Sequence, residues 1–488
     1  MTALRVSEGV GLRNSGRESI DQETPTSPGA PLPFHPLTSD QSETAAHHTT
    51  DDVYTPGHLG ELTRLIPTEM VDAALHATST VQKRLRGIPS RVVIYLLLAA
   101  CLFPDIGYKG VWAKLMSRRR SPLPRPSASG LSQARRRIGS APLEWLFNLL
   151  RGPEGATPAR NGVWWKNHLI TAIDGTILSV ADEPAVRTRY TKQAGNHGGT
   201  SYPQTRLLAL LTCGTRTIID AVFAPTTTGE TTLTPGLFGS MKTGMLVLAD
   251  RNFDATTIMT GIAATGADVL IRGKTRRRLP VLARHRDGSY TSRIGALTVR
   301  VIDANVVITT STGRVRNHYR LITALLDASH YPAHQLVDLY HQRWEIETAF
   351  LELKSSMSAG RVLRARTASG VAQEIYALLV VYQLVRTTIS DAAYSQSLDP
   401  DRGSFTIAWQ AAKDQVVLAT DAIDTAPVDL VGAIGARVLA DPLPPRRLRV
   451  CPRIVKRAIS KYQARGPVVD RSCRKARLDI RVLDGAPP

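Results

Sequence analysis

The stretch "YHQRWEIETAFLELK", residues 340–354, decides how the chain is read. It is predicted to be a single helix, with Tyr340, Arg343, Glu347 and Lys354 spaced by three, four and seven positions. At 3.6 residues per turn these four side chains fall within an arc of roughly 60°. The flanks of that stripe are apolar, with Phe350 and Leu339 on one side and Leu351 and Trp344 on the other. The solvent arc is assigned to Gln342, Glu345, Thr348 and Glu352. Charge on a half-buried face is costly unless it is paired or placed for function. An Arg343–Glu347 pair at i,i+4, with Lys354 reaching outward, would account for the stripe by itself. The rest of the chain points elsewhere.

Two aspartates occupy places where strands seldom put them. Asp174 interrupts "HLITAIDGTILSV" (168–180), and Asp250 closes the apolar run of "GMLVLADRNF" (244–253). Aspartate is depleted in strands, and a buried one needs a counter-charge. Asp220, in "TRTIIDAVFA" (215–224), is a competing candidate. Context favours the other two. Asp174 precedes Gly175, where a backbone could approach a ligand closely, and Asp250 ends its strand, where sites on α/β sheets form. Two aspartates and Glu347, without cysteine or histidine companions, would make an all-oxygen site suited to Mg²⁺ or Mn²⁺ rather than zinc. Two such ions can activate an attacking hydroxyl and stabilise the leaving oxygen of a phosphodiester. Arg343 and Lys354 would then lie along the phosphate backbone, and Tyr340 could hydrogen-bond a phosphate or stack on a sugar or base.

Composition agrees with a polyanionic partner. The 488 residues carry 61 Lys and Arg against 41 Asp and Glu, a net charge of +20, which points first to nucleic acid. Four cysteines without a C-x-x-C pair argue against a disulfide framework or a structural zinc, and fit a reducing cytoplasm. The longest apolar run, "VVIYLLLAACLF" (92–103), is about half of a membrane span and reads as a buried helix.

Along the chain, residues 1–52 are expected to be a disordered tail, poor in large apolar side chains. Residues 53–160 read as a helical N-terminal DNA-binding domain, with Arg135, Arg136 and Arg137 placed on phosphates. Residues 161–390 read as an α/β core with a mixed sheet, broken at about 274–327 by a β-rich insertion. A long apolar helix is predicted over 371–389. Residues 391–488 form a basic C-terminal region, in which 446–477 hold twelve Lys or Arg and one acid. The glycine-rich stretch 193–204 reads as a loop near the site, and Trp164 and Trp165 as packing residues.

The motif Y-x2-R-x3-E-x6-K resembles the signature of the insertion-sequence-4 family of DDE transposases. "IDGT" around Asp174 and "LADRNF" around Asp250 resemble that family's two catalytic-aspartate regions, and the N-terminal helices are similar to the domain that precedes its core. The resemblance runs from about 56 to 385. It implies a ribonuclease-H-like sheet flanked by helices, with Asp174, Asp250 and Glu347 as a catalytic triad holding two Mg²⁺ (or Mn²⁺) ions. It also implies Tyr340, Arg343 and Lys354 at the DNA of the element's end. The activity implied is cleavage at the terminal inverted repeats and joining of the 3′-hydroxyl ends to target double-stranded DNA, by a homodimer on paired ends in the bacterial cytoplasm and nucleoid. Some relatives hold a flipped base on a tryptophan in the insertion. This insertion has none, leaving Tyr290 or Tyr319 as the substitute. A DNA-binding descendant that does not cut, or a host nuclease of the same fold, are the alternative readings.

Overall fold

The computed structural model describes residues 58–84, 87–117, 125–152, 163–192, 202–418, 431–445, 449–450 and 474–483. The tail 1–52, most of the glycine-rich loop 193–204 and residues 451–473 of the basic segment lie outside them.

The chain is built on one mixed sheet. The short strand β1 (Trp164–Trp165) pairs with β2 (His168–Ser179), which is followed by β3 (Gln204–Thr212), β4 (Ile218–Pro225), β5 (Met245–Ala249) and β6 (Asp268–Arg272). Their spatial order is β4-β3-β2-β5-β6, with β2, β3 and β4 antiparallel and β2, β5 and β6 parallel. That order is the ribonuclease-H-like arrangement. The parallel strands read as continuous apolar runs because both faces of the sheet are covered. Met245–Ala249 is buried throughout, and β2 is buried from His168 through Ile173.

The β-rich stretch is not a separate layer. It holds β7 (Ala283–Arg284), β8 (Tyr290–Ile294), β9 (Leu297–Thr310) and β10 (Gly313–Thr323), and β10 pairs antiparallel with β6. Near the C-terminus β11 (Arg449–Val450) pairs with β12 (Arg474–Val482), and β12 adds to β9. The insertion thus extends the catalytic sheet and covers the edge that β6 would otherwise expose.

The N-terminal helices are α1 (Thr68–Ala77), α2 (Ser90–Leu102), α3 (Tyr108–Leu115), α4 (Ala128–Ile138) and α5 (Ala141–Leu150). Two one-turn helices follow within the core, α6 (Pro184–Arg187) and α7 (Glu230–Leu233), then α8 (Thr256–Ala264) against one sheet face. The helices beyond the insertion are α9 (Ala333–Tyr340), α10 (Trp344–Leu351), α11 (Ala368–Ser395), α12 (Phe405–Leu418) and α13 (Gly432–Ala440). Helix α11 is apolar on nearly every side because it is enclosed by its neighbours. It is long and apolar enough to cross a membrane, but 72% of its most apolar window is buried inside the fold. Residues of α1, α2, α5, α11 and α12 share one apolar core with the outer sheet face. Asp52–Pro488 forms a single compact unit.

The helix expected over 340–354 is segmented. A 3-10 turn, His341–Arg343, separates α9 from α10, and a π-helical turn, Glu352–Met357, follows α10. Two members of the expected solvent arc turn inward, while Gln342 stays exposed and Thr348 half-buried. Glu345 and Glu352 are buried, whereas Trp344 and Leu351 are exposed. The two buried glutamates are compensated by Arg216, whose Nε lies 2.5 Å from Glu345 and whose Nη1 lies 3.3 Å from Glu352. Arg216 also pairs with Asp401, and Arg386 of α11 pairs with Glu352. Arg216 sits in the β3–β4 turn at φ 59°, a conformation that costs a non-glycine residue energy unless its surroundings hold it there.

Candidate active site

Strand β2 runs beside β5 only as far as the pairing of Ile173 with Ala249. Asp174 is the next residue of β2 and Asp250 the residue that follows β5, so the parallel pairing stops just before two neighbouring carboxylates. Beyond that point β2 continues against β3 alone, and its burial loosens from Asp174 onward. A crevice opens at the carboxyl ends of parallel strands, where α/β sheets place their sites.

Each aspartate is set by its local backbone. Asp174 Oδ1 accepts from the Gly175 amide at 2.8 Å, and Asp250 caps the following 3-10 turn by accepting from the Asn252 amide at 2.7 Å. Burial pushes the Asp174 carboxyl up to about 7, against the pull of Arg343 and the Gly175 amide, and the charges of Asp250 and Glu230 push the same way. A carboxylate so raised is held largely by burial, which Arg343 only partly offsets. The donors around it are oxygens, which suit a hard divalent cation.

The residues of the stripe all reach these strand ends. The Tyr340 hydroxyl donates to the Ala249 carbonyl at 3.1 Å. Arg343 Nη1 donates to Asp174 Oδ2 at 3.3 Å, while its Nη2 donates to Glu347 Oε1 at 2.9 Å. Lys354 Nζ donates to Thr176 Oγ1 on β2 at 3.3 Å. The i,i+4 pair expected from local spacing is therefore present, but its arginine is shared with an aspartate 169 residues away. Glu347 is joined to Asp174 through Arg343. Among the described residues, no three acids, histidines or cysteines stand close enough together to grip one ion as they are.

Tyr340 differs from its expected place. It is only 4% exposed, and its phenol is spent on a backbone carbonyl, so it positions the end of β5 rather than facing a ligand. Tyr290 and Tyr319 are buried as well, Tyr319 stacking on His341 with ring centres 5.8 Å apart. Neither offers a face to a flipped base. Asp220, the competing aspartate, pairs with Arg151 and accepts from Ser240 Oγ at 2.5 Å, on β4 level with Ile173 but separated from β2 by β3.

The arginines of α4 stand apart from the crevice. Arg136 is exposed, and Arg135 lies over the Tyr108 ring at 3.8 Å. Arg137 is partly spent on the fold, donating to the Ile88 carbonyl at 2.8 Å. Arg135 and Arg136 line a cleft with Lys109, Arg364 and Arg366. The last two precede α11 and carried no signal in the sequence beyond their charge. Trp165 packs against Tyr331 at 5.8 Å, in keeping with a packing role.

Comparisons with known proteins cover the helices and the sheet that carry this site. A family model described as insertion element 4 transposase N-terminal matches residues 56–148, and one described as transposase DDE domain matches 165–384. The chain is 24% identical over 424 residues to the transposase InsG for insertion sequence element IS4 of Escherichia coli (strain K12), spanning 81% of this chain and 91% of that protein. It is 26% identical over 204 residues to the putative transposase InsZ of the same strain, spanning 42% and 67%. Among solved structures, a piggyBac transposase synaptic complex with hairpin DNA aligns over 83% of this chain and 88% of that one. The TM-score is 0.36 and the sequence identity 12%. Enzymes with the DDE domain generally use divalent metal ions. The two matched segments, together spanning most of the chain, and the relative InsG establish that the chain belongs to the insertion-sequence-4 family of DDE transposases, enzymes that cleave and transfer DNA.

Proposed function

We propose that Asp174, Asp250 and Glu347 are the catalytic triad of this transposase and hold two divalent cations, Mg²⁺ or Mn²⁺. Bound there, the cations would supply activation of the attacking hydroxyl and stabilisation of the leaving oxygen. The chain's own groups do the rest. Asp174 and Asp250 present carboxylates from neighbouring strand ends, a rigid mount that fixes their spacing. Arg343 keeps Asp174 and Glu347 from repelling one another and offers its guanidinium to a phosphodiester. Lys354, exposed at the rim, adds a second cation along the path of the strand. Tyr340 fastens α9 to the end of β5 and so holds Arg343 and Glu347 over the crevice.

The observation that carries this reading is the Arg343 bridge between Asp174 and Glu347, which brings the helical signature and the first aspartate into one place. The reaction is cleavage at the terminal inverted repeats of the element and joining of the freed 3′-hydroxyls to target DNA. Two ends must be brought together, which favours a homodimer on paired ends. Arg135, Arg136 and Arg137, with Arg364 and Arg366 beside the first two, would grip the phosphates of the end DNA. Such work belongs in the bacterial cytoplasm, on the nucleoid.

The test uses plasmid carrying the element's own ends, with Mg²⁺ or Mn²⁺. Asp174→Asn, Asp250→Asn and Glu347→Gln should each abolish strand cleavage while retardation of end DNA survives. Cleavage by Glu347→Gln at the parental rate would remove Glu347 from the site.

A further inference from the structure

Glycine at 175 was expected to let a backbone approach a ligand. The space it leaves is taken by another acid. A Cβ built on Gly175 would come within 2.7 Å of Glu230 Cδ and Cγ, so the Glu230 side chain lies flat against the residue that follows Asp174. Its two oxygens point in different directions. Oε1 accepts from Arg206 Nη1 at 2.9 Å, and Arg206 sits on β3 opposite Ile177 of β2. Oε2 accepts from Asn252 Nδ2 at 2.6 Å, and the Asn252 amide is the group that holds Asp250 Oδ1.

We infer that Glu230 is a positioning residue of the transposition reaction, a carboxylate staple that crosses Gly175 to tie the Asp174 strand to the Asp250 turn. The inference rests on the proposed triad. The two aspartates stand on strands whose mutual hydrogen bonding stops at Ile173 and Ala249, just short of them. Beyond that register the backbone ladder no longer fixes their separation. Arg206, Glu230 and Asn252 restore a connection over the top of the gap. Both Arg206 and Glu230 side chains are less than one-fifth exposed, so that half of the link is shielded from competing water, while Asn252 closes it on the exposed side. The charge of Glu230 is also felt at Asp174. Gly175 is then required because any side chain would displace the staple.

Partners that orient metal-binding side chains typically change affinity by about tenfold to a hundredfold when removed. Mn²⁺ alone, followed by electron paramagnetic resonance on the full chain, is the probe. Glu230→Ala should weaken Mn²⁺ binding by about that factor, and Gly175→Ala should do the same by pushing the side chain aside. The exchange Glu230→Gln with Asn252→Asp reverses donor and acceptor across the same gap while keeping the acceptor for Arg206. It should bind Mn²⁺ more tightly than Glu230→Ala and cleave end DNA again.

Unchanged Mn²⁺ binding in Glu230→Ala would overturn the inference, whether or not the thermal midpoint falls. A folded exchange pair as defective as Glu230→Ala would overturn it too, because the carboxylate at 230 itself would then be needed as a ligand. Failure of the underlying triad has a separate signature. Asp174→Asn and Asp250→Asn would then bind Mn²⁺ like the parent protein.

Discussion

Replacing Arg216 by methionine probes the buried charges beneath the helix that carries Glu347. Arg216, Glu345, Glu352 and Asp401 have side chains 8%, 4%, 9% and 15% exposed, so solvent screens them little. Without Arg216, the three carboxylates would lose the cation they share, while Arg386 pairs with Glu352. Removing one partner of a buried pair costs about 3–5 kcal/mol, since the charge left behind has neither water nor a counter-ion. At 1.4 kcal/mol per tenfold, that is roughly two to three and a half orders of magnitude in the folding equilibrium. The loss should depend on pH. Burial already raises the Asp401 carboxyl, against the attraction of Arg216, and removing the arginine raises it further. A group whose folded pKa lies above its unfolded one binds protons more readily in the folded state. The deficit of the variant is therefore largest above that folded pKa and shrinks as pH falls through it. Urea denaturation at about pH 8 and about pH 5.5 measures both effects. An unchanged urea midpoint, or a deficit equal at the two pH values, would refute the account of the cluster.

Tyr340→Phe should lower stability by about 1 kcal/mol through loss of the hydrogen bond to Ala249, and leave retardation of end DNA at parental affinity, since the hydroxyl is buried. Weaker end binding without loss of stability would restore Tyr340 as a direct DNA contact. Arg136→Ala should weaken binding to end and unrelated DNA alike, and reduce the slope of log affinity against log salt by about 1, as loss of one phosphate contact requires. Titrations at several salt concentrations measure it. Gly60→Ala should destabilise the chain by more than about 1 kcal/mol, because Gly60 has φ 61° and an added Cβ would lie 2.5 Å from the Gln415 carbonyl carbon. A thermal midpoint within experimental error of the parent protein would contradict that packing.

Strand placement was legible because buried parallel strands leave unbroken apolar runs, as in Met245–Ala249 and residues 269–271. The aspartates were legible because each interrupts or ends such a run. Helix α11 was legible from length and apolarity, though it extends at both ends beyond the predicted 371–389. Helices α12 and α13 and the strand β12 were not distinguished within the basic C-terminal region. Their apolar faces are short, and β12 is a strand only because β9 offers it an edge. The fate of Glu230 was equally hidden. A glutamate in "TTTGETTL" carries no local mark of its role, and its partners lie on β3 and in the turn after β5.

By itself, the sequence determined the period of the buried core strands and of α11, the excess of positive charge, and the resemblance to a DDE transposase. These are local or compositional properties, written in neighbouring residues. Only the tertiary structure decided which face of the signature helix is buried. A uniform helical wheel assumes one pitch, but a 3-10 turn and a π turn bracket α10, and Arg216 and Arg386 arrive from other elements to bury Glu345 and Glu352. The burial of a charge depends on what the fold brings to meet it, and that partner is set by the three-dimensional path of the whole chain.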